Sequence, residues 1–446
     1  MLEKLLSYIF GKGIDQKLKS KFLKGSFSSI LLQVSLSLLT FLTSIAVARI
    51  TGDKGFGIYT LVFTWVGIFS SAALLGVDDL ALRQMSIYKS NNSTQEAKSF
   101  ILLGLRYSIF ASLFFTILYI LFSSFIYLPG IAEFKSLHLI AAISIPFFVI
   151  IYFFQSVLKG WGMLFEGQVT EKLIQPLGFL LFLSIYLFYD FDVTDFEAVV
   201  FRVVSFIFAS AIIILIAIVK LRRIFKAEKV SIMFFKWKST LIYFTLSTVL
   251  YAINSRIDIV FLGLFSIEPE KIAYYNVALK FSDIALIPFL VICSVSTPIF
   301  ASMYHEGKKA ELQKFYTLIT RISFFIILCI ITIFIFFGNW FLNWYGKNFL
   351  VGYEVLVLLC ISKLVHVFVG PASYLLSMTG NEKHVTYALL LSVSFTIFLH
   401  IILIPFYSIS GAAYATIGGL IFFDIYLSYI GYKKTGLLLT IVGKLK

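Results

Sequence analysis

The chain has 446 residues, of which 60% are hydrophobic, 18% aromatic and only 13% charged, and its formal net charge is +14. Soluble domains contain roughly 45–50% apolar residues, so this composition excludes a soluble globular protein. A membrane β-barrel would show segments of ~10 residues with alternating hydrophobicity, whereas the apolar runs here are long and continuous, and helices pair their backbone groups internally. The sequence predicts an all-α integral membrane protein.

The apolar runs predict about twelve transmembrane helices. In chain order they lie at about 27–48, 56–77, 100–122, 137–158, 173–189, 198–219, 240–264, 278–301, 318–337, 350–373, 385–406 and 410–431. We predict a basic N-terminal segment, an N-terminal six-helix bundle, a basic amphipathic linker, a C-terminal six-helix bundle and a cytoplasmic tail. Their ranges are about 1–26, 27–220, 221–239, 240–431 and 432–446, respectively.

Lysine and arginine residues concentrate in the N-terminal segment, in alternate loops and in the linker, which reads LRRIFKAEKVSIMFFKWKS from Leu221. The acidic run at 190–197 lies on the other side of the predicted helices. By the positive-inside rule, the basic side is cytoplasmic. We therefore predict a multi-pass protein of a bacterial or archaeal plasma membrane with both termini in the cytoplasm. Because the positive charge follows the topology, no nucleic-acid partner is predicted.

A stripe of polar residues in the first span recurs in the seventh. With the same i, i+4, i+7, i+11 spacing, the stripes are Gln33, Ser37, Thr40 and Ser44, and Ser247, Tyr251, Asn254 and Asp258. Such spacing places each stripe on one helix face, which either lines a cavity or packs against another helix. The recurrence predicts a parallel internal repeat, which is typical of transporters that work by alternating access.

Charged residues inside apolar spans are the main functional candidates, because an arginine at the bilayer centre costs at least ~2.5–3.5 kcal/mol. Guanidinium and ammonium groups suit an anionic headgroup, so Arg256, Lys280 and Lys363 are the predicted substrate-binding residues. Predicted cavity-lining polar residues are Gln33, Ser37, Thr40, Asn254 and Asn276. For Asp258, Asp283 and Asp424, binding of a coupling cation and ion pairing within the bundle both remain open.

Three further residues lie in or near the spans. Arg106 and Arg202 are close to span ends, where a long cationic side chain reaches the interface, so interface anchoring is predicted for both. His366 follows Lys363 by three residues, and hydrogen-bonded packing is the prediction for it.

Patterns of catalytic or metal sites are missing from the sequence. Cys293, Cys329 and Cys360 lie far apart, and the five histidines show no metal-ligand spacing. The segment GDKGFG at 52–57 lacks a preceding strand and a lysine-threonine ending, so it is a turn and no phosphate loop. We predict no cofactor, no metal site and no enzymatic activity.

Several segments resemble a known family in their order and spacing. Residues 29–83 contain the pattern ARxxGxxxxGxY from Ala48 and LLGVDD from Leu74, and RIDIVFLG from Arg256, IAYYNVALKF from Ile272 and LLSMTGNEKH from Leu375 follow. Together they are similar to the O-antigen and capsule polysaccharide flippases of the multidrug/oligosaccharidyl-lipid/polysaccharide exporter superfamily, over nearly the whole chain. The resemblance implies two helical bundles forming a V around a central cavity, which often carries cationic residues. It also implies transfer of an undecaprenyl-diphosphate-linked glycan from the cytoplasmic to the outer leaflet.

This resemblance implies a lipid-linked oligosaccharide, the bilayer, a coupling cation (H⁺ or Na⁺) and a glycan polymerase complex as partners. One alternative is a cation-coupled multidrug exporter of the same superfamily, although the excess of intramembrane cationic residues argues against a cavity for cationic drugs. Another is a glycan polymerase or ligase, which needs a sizeable outer loop with catalytic arginine or histidine residues. The longest outer connections, at about 123–136 and 338–349, offer few such residues.

Overall fold

The computed structural model describes residues 16–125, 134–188, 194–226 and 252–443, together with isolated positions between 228 and 250. Within these ranges, side chains are described from residue 35 onward, except at 36, 125, 186–188 and 298. Every regular element in the described chain is helical, which confirms the all-α part of the predicted fold class. Most of the predicted linker and the side chain of Gln33 lie outside the described residues.

The chain forms two compact units. The N unit is Lys24–Ala273, and the C unit contains residues 16–23 and the chain from Tyr274 onward. Each change from one unit to the other falls inside a helix, Gln16–Leu74 or Pro269–His305. The predicted division at the basic linker stays a prediction, because that linker is largely outside the described residues.

The N unit contains ten helices in the described residues, a π-helical turn and the start of an eleventh helix. They are α1 (Gln16–Leu74), α2 (Val77–Ser90), α3 (Thr94–Phe125), α4 (Lys135–Ala142), α5 (Ser144–Gly160), α6 (Leu164–Val169), the π turn (Thr170–Ile174), α7 (Gln175–Phe188), α8 (Asp195–Lys220), α9 (Arg222–Lys226), α10 (Ile257–Leu264) and α11 (Pro269–His305). Buried residues such as Met85, Phe100 and Phe153 join α2, α3, α5 and α8 into one apolar cluster. A second cluster, with Val66 and Tyr119, joins α1, α3, α4, α5 and α8.

α1 bends sharply at Gly52, whose φ of 73° and ψ of −177° are not helical. A residue without Cβ adopts this left-handed conformation at little cost. The helix resumes at once, so the first two predicted spans are the two arms of one bent element. The polar stretch between them, which hydropathy assigns to a loop, is a kink instead.

α8 begins at Asp195 because the preceding residues cap it. The Thr194 hydroxyl accepts a hydrogen bond from the backbone N–H of Phe196 at 3.3 Å, and the Glu197 carboxylate accepts one from the Thr194 N–H at 2.9 Å. This reciprocal capping box satisfies two backbone donors at the helix start. The acidic side chains of the first turn also interact favourably with the helix dipole.

The C unit contains the rest of α11, α12 (Lys309–Leu342), a 3-10 turn (Lys347–Gly352), α13 (Tyr353–Val369), α14 (Ala372–Met378) and α15 (Glu382–Thr435). Its core joins α11, α12, α14 and α15 through buried residues that include Phe300, Tyr316 and Leu376. α15 bends at Ser408, where φ is 53° and ψ is −128°, three residues after Pro405. Proline removes a helical hydrogen bond and so localises such a kink. The last two predicted spans are the arms of this helix.

Residues 436–443, here called the C-terminal strap, pack back onto the C unit. The Gln313 side chain on α12 forms two hydrogen bonds with the backbone of Leu438, of 3.0 and 2.8 Å. The Ile441 carbonyl accepts from Arg321 Nε at 3.1 Å, and the Ile441 N–H donates to the Phe368 carbonyl at 3.0 Å. The segment predicted as a tail is therefore helical to Thr435 and docked beyond it.

Eight helical segments in the described chain are long and apolar enough to cross a membrane. They begin at Ser37, Thr94, Lys135, Asp195, Pro269, Lys309, Lys347 and Glu382. Two of them, Ser37–Leu74 and Glu382–Thr435, contain the kinks described above. A multi-pass, all-helical membrane protein is thus confirmed. Twelve separate helices are predicted, but at each kink two of the predicted spans form one bent helix. The dip in hydropathy at each kink does not end the helix.

Candidate functional site

Two charged pairs lie one helical turn apart along α13 of the C unit. Lys363 Nζ is 2.8 Å from Asp283 Oδ1 on α11. His366 Nδ1 is 3.0 Å from Asp424 Oδ1 and 3.1 Å from Asp424 Oδ2 on α15. The fold thus brings together one of the three predicted cationic residues, two of the predicted aspartates and the predicted packing histidine.

The two pairs differ in burial. Of the Asp424 side chain 3% is exposed and of His366 21%, and the Phe289 ring packs edge-to-face on the imidazole with centroids 5.6 Å apart. By contrast, 58% of the Asp283 side chain is exposed while only 14% of Lys363 is. The His366–Asp424 pair, here called the inner pair, is shielded from solvent. In the Lys363–Asp283 pair, the outer pair, the exposed aspartate can be displaced by another anion.

This arrangement has two chemical uses. An anionic group that approaches Lys363 can replace Asp283 as its partner, because an ammonium binds phosphate and carboxylate oxygens alike. The inner pair joins a buried carboxylate to an imidazole, the side chain whose charge changes most readily near neutral pH. Both Asp424 carboxylate oxygens lie within hydrogen-bonding distance of this imidazole, which ties α13 to α15.

Arg256 lies at a break in the predicted seventh span. Ser255 and Arg256 form a turn, and α10 begins at Ile257. The Ser255 hydroxyl donates to the Ala252 carbonyl at 2.9 Å, which competes with continued helical bonding. The Arg256 side chain is exposed, and no carboxylate in the described chain forms an ion pair with it.

The break changes the interpretation of the polar stripe in that span. Asn254 is exposed, whereas Asp258 on the first turn of α10 is 7% exposed and makes a polar interaction. The expectation that both residues share one continuous helix face is wrong, because the turn at 255–256 shifts the helical phase between them. Arg256 and Asp258 belong to the N unit, not to the unit that holds Lys363.

The remaining predicted residues keep their helical context. On α11, Asn276 is 3% exposed and Lys280 is partly buried one turn later, and both make polar interactions. On α1, Thr40 Oγ1 donates to the Ser37 carbonyl at 3.1 Å. The stripe on α1 therefore bonds in part to its own helix, as small polar residues in apolar helices commonly do.

The N unit contains a group of polar and aromatic residues that was not predicted as a site, here called the polar wall: Tyr59, Tyr152, Lys159, Glu171 and Arg202. The Arg202 guanidinium lies over the rings of Phe179 and Phe206, 5.3 and 5.1 Å from their centroids. Its charge also acts on the hydroxyls of Tyr59 and Tyr152. Arg202 thus packs against aromatic rings of the N unit, and its predicted role as an interface anchor stays a prediction.

The same wall continues toward the π turn. Tyr152 donates a hydrogen bond of 2.9 Å to Glu171 Oε1, and Glu171 lies in this turn, a feature that is frequent at functional sites. Lys159 interacts electrostatically with both Glu171 and Asp78. Burial raises the pKa of Asp78 to about 6, with a further increase from the charge of Asp79.

Two signals in the sequence point to this wall. Glu171 and Lys159 occur in QSVLKGWGMLFEGQVTEK, a stretch with four charged residues that indicates a simple turn. Tyr59 ends the ARxxGxxxxGxY pattern. Neither signal links these residues to Arg202, because they lie on separate helices.

Comparisons with known proteins place the fold. A family model described as "Polysaccharide biosynthesis protein" matches residues 22–304. No curated protein sequence matches the chain. The inward-facing conformation of a multidrug resistance MATE family transporter of the MOP superfamily is similar in structure, with a TM-score of 0.75 and 15% identity over 92% of this chain and 98% of that one.

A second solved structure is a MOP superfamily transporter from Pyrococcus furiosus, described by the reverse polarity of its binding pocket, with a TM-score of 0.66 and 14% identity. It covers 97% of this chain and 98% of its own. The outward-facing conformation of a multidrug resistance MATE family transporter gives the same TM-score, identity and coverage. At these identities, the likeness establishes the fold.

Proposed function

Because the chain belongs to the polysaccharide biosynthesis protein family, whose model matches residues 22–304, we propose that it is a flippase for lipid-linked oligosaccharides. Its substrate is an undecaprenyl-diphosphate-linked glycan repeat unit, which it moves from the cytoplasmic to the outer leaflet for surface polysaccharide synthesis. The protein acts as a transporter and makes or breaks no covalent bond. Its MOP superfamily fold supports this assignment.

The observation that carries the proposal is the state of Arg256. This guanidinium belongs to an apolar predicted span, is exposed at a helix break and has no carboxylate partner within the described chain. An uncompensated cation in such a position is costly unless it has an anionic ligand or water. A diphosphate supplies that ligand. Within the C unit, Lys280 and Lys363 are proposed as anion-binding residues in their own right.

The proposed topology has about twelve crossings in two groups of six. The kinks at Gly52 and Ser408 divide two of the eight candidate spans, and the apolar helical stretch 170–188 and the predicted span at about 240–264 are the proposed further crossings. Both termini lie in the cytoplasm of a bacterial or archaeal cell, as the distribution of basic residues favours. Transport proceeds by alternating access, which the predicted parallel repeat supports.

The proposed test is reconstitution of the purified protein in proteoliposomes that contain a prenyl-diphosphate-linked oligosaccharide. A membrane-impermeant lectin reports the fraction of glycan that reaches the opposite leaflet. We expect Arg256→Ala to reduce the flipping rate at least tenfold, Arg256→Lys to retain part of it, and Arg106→Ala to leave it unchanged. Arg106 is the matched control, since it is an exposed arginine of α3 outside the proposed site.

Full activity of Arg256→Ala with protein recovery unchanged would refute the anion site. Absence of lectin-accessible glycan with the wild-type protein would refute the flippase itself. In that case the alternative is a cation-coupled multidrug exporter, for which the buried His366–Asp424 pair is the proposed H⁺ or Na⁺ site. Efflux of a fluorescent cationic dye that is lost in Asp424→Asn would support this alternative.

A further inference from the structure

Arg202 lies about two helical turns inside α8, which begins at Asp195 and contains a candidate membrane span. Its side chain is partly buried. Among the residues that the structure describes, no carboxylate pairs with its guanidinium, and no acceptor takes a hydrogen bond from it. A guanidinium carries five N–H donors. This cation lies in an apolar helix and has no protein anion as a partner within the described residues. Because an unpaired charge in such a helix is costly, an anionic ligand would stabilise it.

The surroundings of Arg202 identify the kind of anion. Two aromatic rings, those of Phe179 and Phe206, lie beside the guanidinium, which presents its N–H donors in one planar fork. Edge donors in one plane match a planar carboxylate, which accepts two parallel hydrogen bonds. A diphosphate at this position would instead need several cationic groups around it.

Flat aromatic surfaces adjoin the guanidinium. The rings of Tyr59 and Phe179 are nearly parallel, 5° apart with centroids separated by 6.3 Å, and those of Phe148 and Tyr152 stack at 4.3 Å and 21°. Phe148 also packs against Phe206 at 6.0 Å. Tyr59, Phe148 and Tyr152 are partly exposed, so part of each ring is available to a ligand.

Such rings suit a sugar. The C–H groups on one face of a pyranose carry a slight positive charge, and the face of an aromatic ring is negative. The Tyr59 hydroxyl adds a polar group at the ring edge, while Tyr152 is oriented by its hydrogen bond to Glu171. A guanidinium that donates hydrogen bonds to a carboxylate, next to stacked aromatic rings, is thus complementary to a sugar that carries a carboxylate.

We propose that Arg202 and the rings of Tyr59, Phe148, Tyr152, Phe179 and Phe206 form a subsite for an acidic sugar of the transported glycan. The inference rests on the proposed flippase function and makes it more specific: the glycan contains a uronic acid or a related carboxylated sugar. Arg202 binds the carboxylate of this sugar, and the diphosphate is bound by other residues.

The test uses the full-length protein in lipid nanodiscs and two synthetic probes. Both are prenyl-diphosphate-linked disaccharides, and they differ only at C6 of the terminal sugar, which is CH₂OH in the neutral probe and a carboxylate in the acidic one. We expect the wild-type protein to bind the acidic probe at least tenfold more tightly. Arg202→Gln should remove this preference while leaving the affinity for the neutral probe within twofold.

Other outcomes separate the possible failures. Equal affinity of the wild-type protein for both probes, with either bound well, overturns the acidic subsite and leaves the flippase function standing. Equal losses for both probes in Arg202→Gln mean that Arg202 contacts the diphosphate or supports the fold, and also overturn the subsite. Binding of neither probe by the wild-type protein refutes the proposed function itself.

Two variants keep the test decisive if Arg202→Gln does not fold. Arg202→Lys retains the charge but not the planar pair of donors, so the preference for the acidic probe should fall several-fold without disappearing. Phe206→Leu removes one ring from beside the guanidinium and should weaken the acidic probe more than the neutral one. An unchanged preference in both variants contradicts the proposal.

Discussion

Lys363 and Asp283 join α13 to α11 through a 2.8 Å ion pair in which the lysine is largely buried and the aspartate is 58% exposed. This asymmetry separates two roles for the pair. If it only supports the fold, the order of the charges is unimportant. If Lys363 also receives the substrate's anion, the cation must stay on α13.

Exchanging the two charges in a Lys363→Asp and Asp283→Lys double variant distinguishes these roles. We expect each single change to lower stability by about 1–3 kcal/mol, because it places like charges opposite each other at a largely buried position, and the double variant to recover part of this loss. Transport of the lipid-linked glycan should remain at least tenfold below wild type in the double variant. Recovery of both transport and thermal stability would reduce the pair to a structural one.

The buried contact between His366 and Asp424 should contribute strongly to stability. His366→Phe leaves the 3% exposed Asp424 carboxylate without its imidazole partner, which we expect to destabilise the protein by about 3–5 kcal/mol. Replacing both residues, with Phe at 366 and Leu at 424, removes the charge as well and should cost less than the single change. Thermal unfolding in detergent measures both. A double variant that is less stable than the single one would contradict this.

Asp78 should make stability depend on pH. Burial raises its pKa from the ordinary 3.8 to about 6, so the neutral carboxyl is favoured in the folded protein. The corresponding stability is complete below pH 3.8 and is lost as the pH rises through 6. The loss amounts to about 3 kcal/mol at most.

An Asp78→Asn variant tests this dependence. The wild-type melting temperature should fall relative to that of the variant between pH 5 and pH 7.5, because only the wild type loses this stabilising contribution across that range. Parallel curves for the two proteins would mean that Asp78 does not titrate in this range.

Gly57 should tolerate no side chain. A Cβ built at this position would lie 1.8 Å from the carbonyl oxygen of Pro269. α1 and the start of α11 can therefore pack this closely only if residue 57 is a glycine. We expect Gly57→Ala to reduce the yield of folded protein severely. Gly67→Ala is the matched control on the same helix, because a Cβ there meets no atom within 4 Å. Similar yields of both variants, measured by size-exclusion chromatography, would contradict the close approach.

The helical class and the approximate spans follow from composition and apolar runs, because a membrane leaves few alternatives to a helix. The kinks do not follow in the same way. Asp53 and Lys54 lower the hydropathy beside Gly52 and therefore indicate a loop, yet the backbone returns to helix immediately after one glycine. Hydropathy measures polarity along the chain and is insensitive to a single residue's dihedral angles.

The candidate sites show a similar limit. That charges lie inside the spans is visible in the sequence, but the partner of Lys363 is 80 residues away and depends on how α11 and α13 pack. Arg202 illustrates the point more strongly. Its distance from the end of α8 suggests an anchor at the interface, whereas its direction is set by Phe179 and Phe206.

The C-terminal strap has a consequence for biogenesis. Leu437 and Leu439 belong to the apolar cluster of the C unit, so this core stays incomplete until the ribosome has passed them. By contrast, the described members of the two clusters of the N unit end at Ile224, with Phe225 packed against one of them. During synthesis, the clusters of the N unit can therefore form early. The core of the C unit forms only after the C-terminal strap has been synthesised.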